Sequence, residues 1–81
     1  MFQLSIISLE KIEYRDKVDE VICPGSEGEL SVLENHIPLI TALKEGEITV
    51  KKNNQIEKQI KISRGVLEVK SKEVVLLITK I

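Results

Sequence analysis

Apolar and polar residues alternate with a period of two along most of the chain. Phe2, Leu4 and Ile6 form one such series, and Ile48 and Val50 belong to another. Successive side chains of a β-strand point to opposite faces, so this period predicts strands that each bury one face. We count about eight to ten short strands, with turn-forming residues about every 6–12 positions. That spacing is typical of an antiparallel β-sandwich or barrel, and the predicted class is all-β.

Two departures from simple alternation carry information. After Ile6 the phase shifts, because Ile7 and Leu9 have the other parity. Such a shift predicts a β-bulge, which bends a strand at the edge of a sandwich. The segment from Val74 to Ile78 is apolar at both parities, which predicts a central strand with both faces buried.

Glycine, proline and asparagine mark the predicted turns. The best helical segment is 35–43, but Pro38 interrupts it, so we predict no long helix. The predicted turns and corners are Pro24-Gly25, Asn35 to Pro38, Lys44-Glu45-Gly46, Asn53-Asn54, Arg64-Gly65 and Ser71-Lys72.

Size and composition limit the function classes. The chain has 81 residues, which corresponds to one domain, 1–81. Its net charge is −1 and its aromatic residues are Phe2 and Tyr14 alone, so neither an electrostatic nor a base-stacking nucleic-acid binder is favoured. With Cys23 the single cysteine, no internal disulfide can form, which fits a reducing, cytoplasmic compartment.

The sequence offers little for catalysis. His36 is the single histidine, and a lone histidine in a small β domain is more often structural than catalytic. Glu27 and Glu29 share a face two residues apart but flank Gly28 in an exposed turn, where nothing apolar would raise a carboxyl pKa. We interpret Cys23 as a small buried apolar residue. We therefore predict no catalytic, cofactor-binding or metal-binding residue, and not an enzyme.

The sequence shows no membrane anchor. Its longest apolar run, Val74 to Ile78, covers five residues, whereas a membrane-spanning helix needs about 20. The first ten residues lack the basic region and cleavage site of a signal peptide. If the protein works at a membrane, we expect partners to hold it there.

Residues 22–50 carry a more specific pattern. It runs from Pro24-Gly25 through Glu27-Gly28-Glu29-Leu30 to Asn35-His36-Ile37-Pro38-Leu39 and Leu43-Lys44-Glu45-Gly46. This stretch resembles the most recognisable segment of the epsilon subunits of F-type ATP synthases. The segment 63–69, Ser-Arg-Gly-Val-Leu-Glu-Val, and the opening strand 2–9 are similar to the same family, so the resemblance covers nearly the whole chain.

The resemblance implies a fold and a function. The family's N-terminal domain is an antiparallel β-sandwich of two about five-stranded sheets. The chain would then be a non-catalytic central-stalk, or rotor, subunit, coupling the membrane ring to the gamma subunit during proton-driven ATP synthesis. It would be peripheral, at the cytoplasmic face of a bacterial inner membrane, with no cofactor.

The resemblance also implies contact residues. The loop around Glu29 would contact the ring subunits, and a second set would lie against gamma. The expected ring contacts are Ser26, Glu27, Gly28, Glu29 and Ser31, and the expected gamma contacts are Ser8, His36 and Thr41.

The chain departs from the family pattern in places. Ser31 and Arg64 stand where glycine is usual, Glu34 where proline is common, and Ile37 where alanine is usual. Many members also continue into a two-helix C-terminal hairpin, which can inhibit ATP hydrolysis and in some members bind ATP. The sequence ends at Ile81, so we expect that hairpin to be absent.

Two other classes remain open as alternatives. A lipoyl or biotinyl carrier domain is also all-β and of similar size, but it presents its lysine between small or apolar residues. The nearest hairpin tip here, Lys51-Lys52-Asn53-Asn54, has different flanks. A small β-barrel nucleic-acid binder is disfavoured by charge and by the scarcity of aromatic residues.

Overall fold

Eight β-strands make up the regular structure of the chain. The computed structural model describes all residues, 1–81, and contains no helix, so the predicted all-β class is confirmed. The strands are β1 (Phe2–Ile7), β2 (Ile12–Val18), β3 (Glu20–Gly25), β4 (Gly28–Leu33), β5 (Leu39–Leu43), β6 (Gly46–Lys52), β7 (Gln55–Val69) and β8 (Glu73–Lys80).

The long strand β7 belongs to both layers of the sandwich. Its 15 residues would extend about 50 Å if straight, but the longest dimension of the molecule is 27 Å, so the strand must bend. The bend coincides with a β-bulge, where Ile62 pairs with Lys80, Arg64 pairs with Thr79, and the intervening Ser63 is the extra residue. The predicted turn at Arg64-Gly65 is therefore wrong, because the chain bends there without reversing.

The strands form two layers, joined through β7 and through one residue pair between β5 and β3, Leu43 with Gly25. The second half of β7 belongs to a five-stranded layer with the order β2-β1-β8-β7-β5. The first half of β7 belongs to the other layer, in which β7 pairs with β6, β6 with β3, and β3 with β4. The two layers belong to one continuous hydrogen-bonded sheet of eight strands folded onto itself. The strand pairs are antiparallel except for β1 and β8, which are parallel, an arrangement that the residue pattern did not indicate.

The space between the layers is filled by aliphatic side chains in one contiguous cluster. Phe2 is its single aromatic member, and Tyr14 packs against it from the side. Cluster members are Phe2, Leu4, Ile6, Val18, Val21, Cys23, Val32, Leu43, Ile48, Val50, Ile60, Ile62, Leu67, Val69, Val74, Leu76 and Ile78.

Two predictions about individual strands have different outcomes. The predicted bulge is confirmed, since the register of β1 against β2 shifts between Ile6 and Ile7. Strand β8 is central, between β1 and β7, as predicted, but only one of its faces is buried. Leu77 is 52% exposed and Val75 is half-buried, because their side chains point away from the core.

The predicted hairpin tip at Asn53-Asn54 is confirmed. Both residues have positive φ, 55° and 63°, as the two central positions of a type I′ turn require. The tip is also tied to the other layer, since the Asn53 amide donates to Asp19 Oδ2 at 2.7 Å and Lys52 pairs with Asp16 at 2.9 Å. This turn and its two braces close one end of the sandwich.

The backbone conformation of Asn54 leads to a stability prediction. We expect Asn54→Ala to lower the free energy of unfolding by about 1 kcal/mol, because alanine tolerates the left-handed region less well than asparagine. The free energy of unfolding of Asn54→Gly should equal or exceed that of the wild type, because glycine adopts positive φ freely. Urea denaturation monitored by circular dichroism measures both changes.

Gln55→Ala serves as the control, because Gln55 is an exposed neighbour in extended β7. It should change stability by less than about 0.5 kcal/mol. Equal stability of the alanine variants at positions 54 and 55 would show that the turn does not have the described conformation in solution.

Candidate functional site

The tip of the β3–β4 hairpin holds most of the residues expected to contact the ring. The strands pair as far as Gly25 with Gly28, which leaves Ser26-Glu27 as a two-residue loop. The predicted turn at Pro24-Gly25 is thus wrong by two residues, because both remain in β3. Gly28 has a φ of 134°, which side chains rarely permit, and a Cβ on Gly25 would lie 2.5 Å from the Gly28 carbonyl oxygen. Both glycines are therefore needed by this compact turn.

The hairpin tip presents polar groups to solvent. Ser26, Glu27, Glu29 and Ser31 are exposed, and neither glutamate forms an ion pair. A shallow hollow of about 460 Å³ lies at this tip, lined by residues 25–30 and by Thr41 of β5. Thr41, expected to contact gamma, is thus next to the residues expected to contact the ring.

His36 lies on the loop between β4 and β5. Asn35 before it has a φ of 67°, so the predicted corner is confirmed, and His36 Nδ1 lies 2.8 Å from the Ile37 carbonyl oxygen. The side chain is half-buried. His36 shares no hydrogen bond or hollow with Thr41 or Ser8, so direct contacts do not join these three residues into one site.

Ser8 is mostly buried, and it lines a shallow hollow together with Leu9, Val66 and Leu77. Its hydroxyl donates a 2.7 Å hydrogen bond to Glu13 Oε2, and the other oxygen of Glu13 pairs with Lys80 at 3.2 Å. The Ser8 amide donates to the Lys11 carbonyl and closes the turn after β1. This network holds Leu9 outward, where it is 95% exposed. Leu9, rather than the Ser8 hydroxyl, is the group that this turn presents.

The hydrogen bonds of Glu13 affect its titration. The bond from Ser8, with a smaller contribution from Lys80, holds the pKa of this carboxyl below its usual 4.5, although partial desolvation opposes them. The ionised form is therefore favoured by folding.

An apolar strip crosses the outer face of the five-stranded layer. Ile7 of β1 pairs with Leu77 of β8, Leu77 with Val66 of β7, and Val66 with Ala42 of β5. Directly paired residues share a face, so these four side chains form a continuous row pointing away from the core. We call Ile7, Leu77, Val66 and Ala42 the apolar row.

The apolar row is open to solvent. Val66 and Leu77 are exposed, and a shallow hollow of about 530 Å³ lies beside them, lined also by Ile7 and Leu9. Contiguous exposed apolar surface of this kind is typical of protein–protein interfaces. In the sequence, this surface corresponds to the apolar residues on the second face of β8. The alternation predicts burial of both faces inside the protein, but in the structure one face is open to solvent.

Cys23 does not have the properties of a reactive thiol. Burial raises the pKa of the Cys23 thiol to about 12, and no neighbouring charge offsets that shift, so the interpretation of Cys23 as a buried apolar residue is confirmed.

No group of three or more His, Cys, Asp and Glu side chains is placed to hold a metal ion. None of the secondary structure could serve as a membrane-spanning helix.

One family model matches the chain over its full length. Residues 1–81 match the β-sandwich domain of the ATP synthase delta/epsilon chain. Among curated relatives, the ATP synthase epsilon chain of Desulforamulus reducens is 39% identical over 75 residues, which are 93% of this chain and 56% of that protein. The epsilon chain of Syntrophomonas wolfei is 38% identical over 68 residues, 84% of this chain and 50% of its own length. The chain thus spans about half the length of the curated relatives it matches.

Solved structures show the same fold at low sequence identity. One chain from the Euglena gracilis mitochondrial ATP synthase, in a structure of its OSCP, F1 and c-ring parts, superposes with a TM-score of 0.87 at 21% identity, over 95% of this chain and 49% of that one. Another, from the central stalk and c-ring of the Tetrahymena thermophila enzyme, has a TM-score of 0.82 at 10% identity, over 96% and 63%.

The Ser8–Glu13–Lys80 network leads to a prediction about acid stability. A carboxyl whose pKa is lowered by folding stabilises the protein above its unfolded pKa of about 4.5, and that contribution is lost as the pH falls through the folded pKa. We expect Glu13→Gln to be less stable than the wild type at neutral pH and to lose less stability on acidification below pH about 4.5.

Urea unfolding as a function of pH measures this difference, with Glu45→Gln as the control because Glu45 is exposed and forms no ion pair. Parallel pH curves for the wild type and Glu13→Gln would contradict the prediction.

Proposed function

Because the chain belongs to the ATP synthase delta/epsilon β-sandwich family, we propose that it is a non-catalytic central-stalk subunit of an F-type ATP synthase. In this proposal it couples the membrane ring to the gamma subunit, so that proton-driven rotation of the ring turns gamma. The observation that carries the proposal is the apolar row, an exposed apolar surface on a sandwich that has a separate polar tip.

The apolar row is proposed as the surface that binds gamma. Its side chains come from four hydrogen-bonded strands, so it is a fixed surface that loses little conformational entropy on binding. Leu9, held outward by the turn at Ser8, extends this surface. His36, on the separate loop between β4 and β5, is proposed as a further gamma contact.

The hairpin tip is proposed as the surface that contacts the ring. The residues expected there are polar and exposed, which suits hydrogen bonding to polar loops of ring subunits more than burial against lipid. Thr41 lines the same hollow and is therefore assigned to this contact region. The proposed location is peripheral, at the cytoplasmic face of a bacterial inner membrane, with association through these partners alone.

The carrier-domain alternative gains no support from the geometry. At the hairpin tip that would bear a modified lysine, Lys52 is engaged with Asp16 at 2.9 Å. A modification enzyme would have to break that ion pair first.

The apolar row leads to a prediction about gamma binding. We expect Leu77→Asp to weaken the affinity for the gamma subunit of the same organism by at least about tenfold, because it places a charge where apolar surface is buried. Calorimetry or surface plasmon resonance with purified gamma measures the change.

Ile56→Asp is the matched control, because Ile56 is a similarly exposed apolar residue, at 58%, on the β6–β7 hairpin of the other layer. Its affinity should remain within about twofold of the wild type. Failure of the wild-type chain to bind either gamma or the ring would overturn the proposed function. Normal binding by Leu77→Asp would overturn only the assignment of the apolar row.

The polar tip leads to a separate prediction. Glu29→Lys should weaken binding to the isolated membrane ring, and the difference from the wild type should shrink as salt is raised, because the contact is exposed and screened. Glu57→Lys, which makes the same charge change at an exposed site on β7, should bind as the wild type does. Equal binding by the two variants would remove Glu29 from the contact.

A further inference from the structure

Arg64 stands beside the apolar row, at the bulge of β7. Next to the bulge, Arg64 pairs with Thr79, two residues along each strand from the paired Val66 and Leu77. Arg64 therefore shares the outer face with them, and it lines the same hollow as Leu77 and Leu9. Residues two apart on one face of a strand are separated by about 7 Å, which sets the distance along β7 from Arg64 to Val66 of the apolar row.

The charge of Arg64 is unsatisfied within the chain. Arg64 is the single charged residue lining the hollow, and it takes part in no ion pair or side-chain hydrogen bond. Two cations nearby in the layer differ in this respect. Lys80 pairs with Glu13, and Arg15 Nε donates to the Ser5 hydroxyl at 3.0 Å.

A partner that covers the apolar row also removes water from around Arg64. A guanidinium that loses water without gaining an acceptor weakens the complex, whereas a carboxylate can accept two parallel hydrogen bonds from it. The bulge contributes to this arrangement, because the extra residue Ser63 places Arg64 on the face opposite the buried Ile62, and Val66 then follows on the same face as Arg64.

We propose that Arg64 is a specificity-determining residue, which binds a carboxylate on the protein partner that covers the apolar row. The partner segment that fits is an amphipathic helix with an Asp or Glu about one turn from the apolar side chain that contacts Val66 and Leu77. That helical spacing, about 5–6 Å, is close to the distance between Arg64 and Val66 along β7. The inference rests on the proposed function, since it names the chemistry by which the gamma subunit is recognised.

The test compares Arg64→Glu, Arg64→Ala and Arg64→Lys for affinity to the gamma subunit of the same organism. Arg64→Glu should lose at least about thirtyfold in affinity and Arg64→Ala about tenfold, with Arg64→Lys between Arg64→Ala and the wild type. The affinity of Arg64→Ala should also depend less on salt than that of the wild type. Lys58→Glu, the same charge reversal at an exposed site on β7 in the other layer, should stay within about twofold.

A charge swap makes the test specific to a pair. Substituting lysine in turn for each Asp and Glu on the surface of gamma should yield one variant that restores the binding of Arg64→Glu. If the wild type binds gamma and the Arg64 variants bind with the same affinity and salt dependence, the inference fails and the proposed function stands. If the wild type binds neither gamma nor the ring, both fail.

Discussion

A small chain with almost no aromatic residues must close two layers around an aliphatic core, and this protein does so with one strand shared by both. Strand β7 pairs with β6 in one layer and with β5 and β8 in the other. Both halves contribute to the core, Ile60 and Ile62 from the first and Leu67 and Val69 from the second. The bulge between these halves places Arg64 on the outer face. The core, the sheet order and the exposed apolar surface therefore depend on the same local irregularity.

Much of the fold follows from the residue pattern, because burial imposes a period of two on any strand with one covered face. The bulge after Ile6 and the tip at Asn53-Asn54 were predictable, since a shift of phase and a pair of asparagines each have one common structural cause. The continuity of β7 was not predictable. Arg64-Gly65 looks like a turn in sequence, and a bulge that bends a strand uses the same residue types as a turn that ends it.

The candidate surfaces show where pattern reading reaches its limit. Apolar residues on both faces of β8 were interpreted as two buried faces, because a side chain that packs in the core and one that packs on a partner have the same chemistry. Leu77 is exposed on the outer face and packs in no core. The residues expected to contact partners came from a resemblance to a family, and the structure shows that they lie in separate places. Ser8 is mostly buried and lines the hollow beside the apolar row, while Thr41 lines the hollow at the hairpin tip.

The parallel pairing of β1 with β8 has a consequence for how the protein is made. Gln3 pairs with Glu73 and Ile7 with Leu77, so the first strand of the domain bonds to its eighth. Contacts so distant in sequence form slowly, because a long loop must close before they stabilise anything. On the ribosome, β1 has its hairpin partner β2 early, but its other edge stays open until β8 has been translated. Exposed strand edges promote aggregation, so the nascent chain is most vulnerable in that interval.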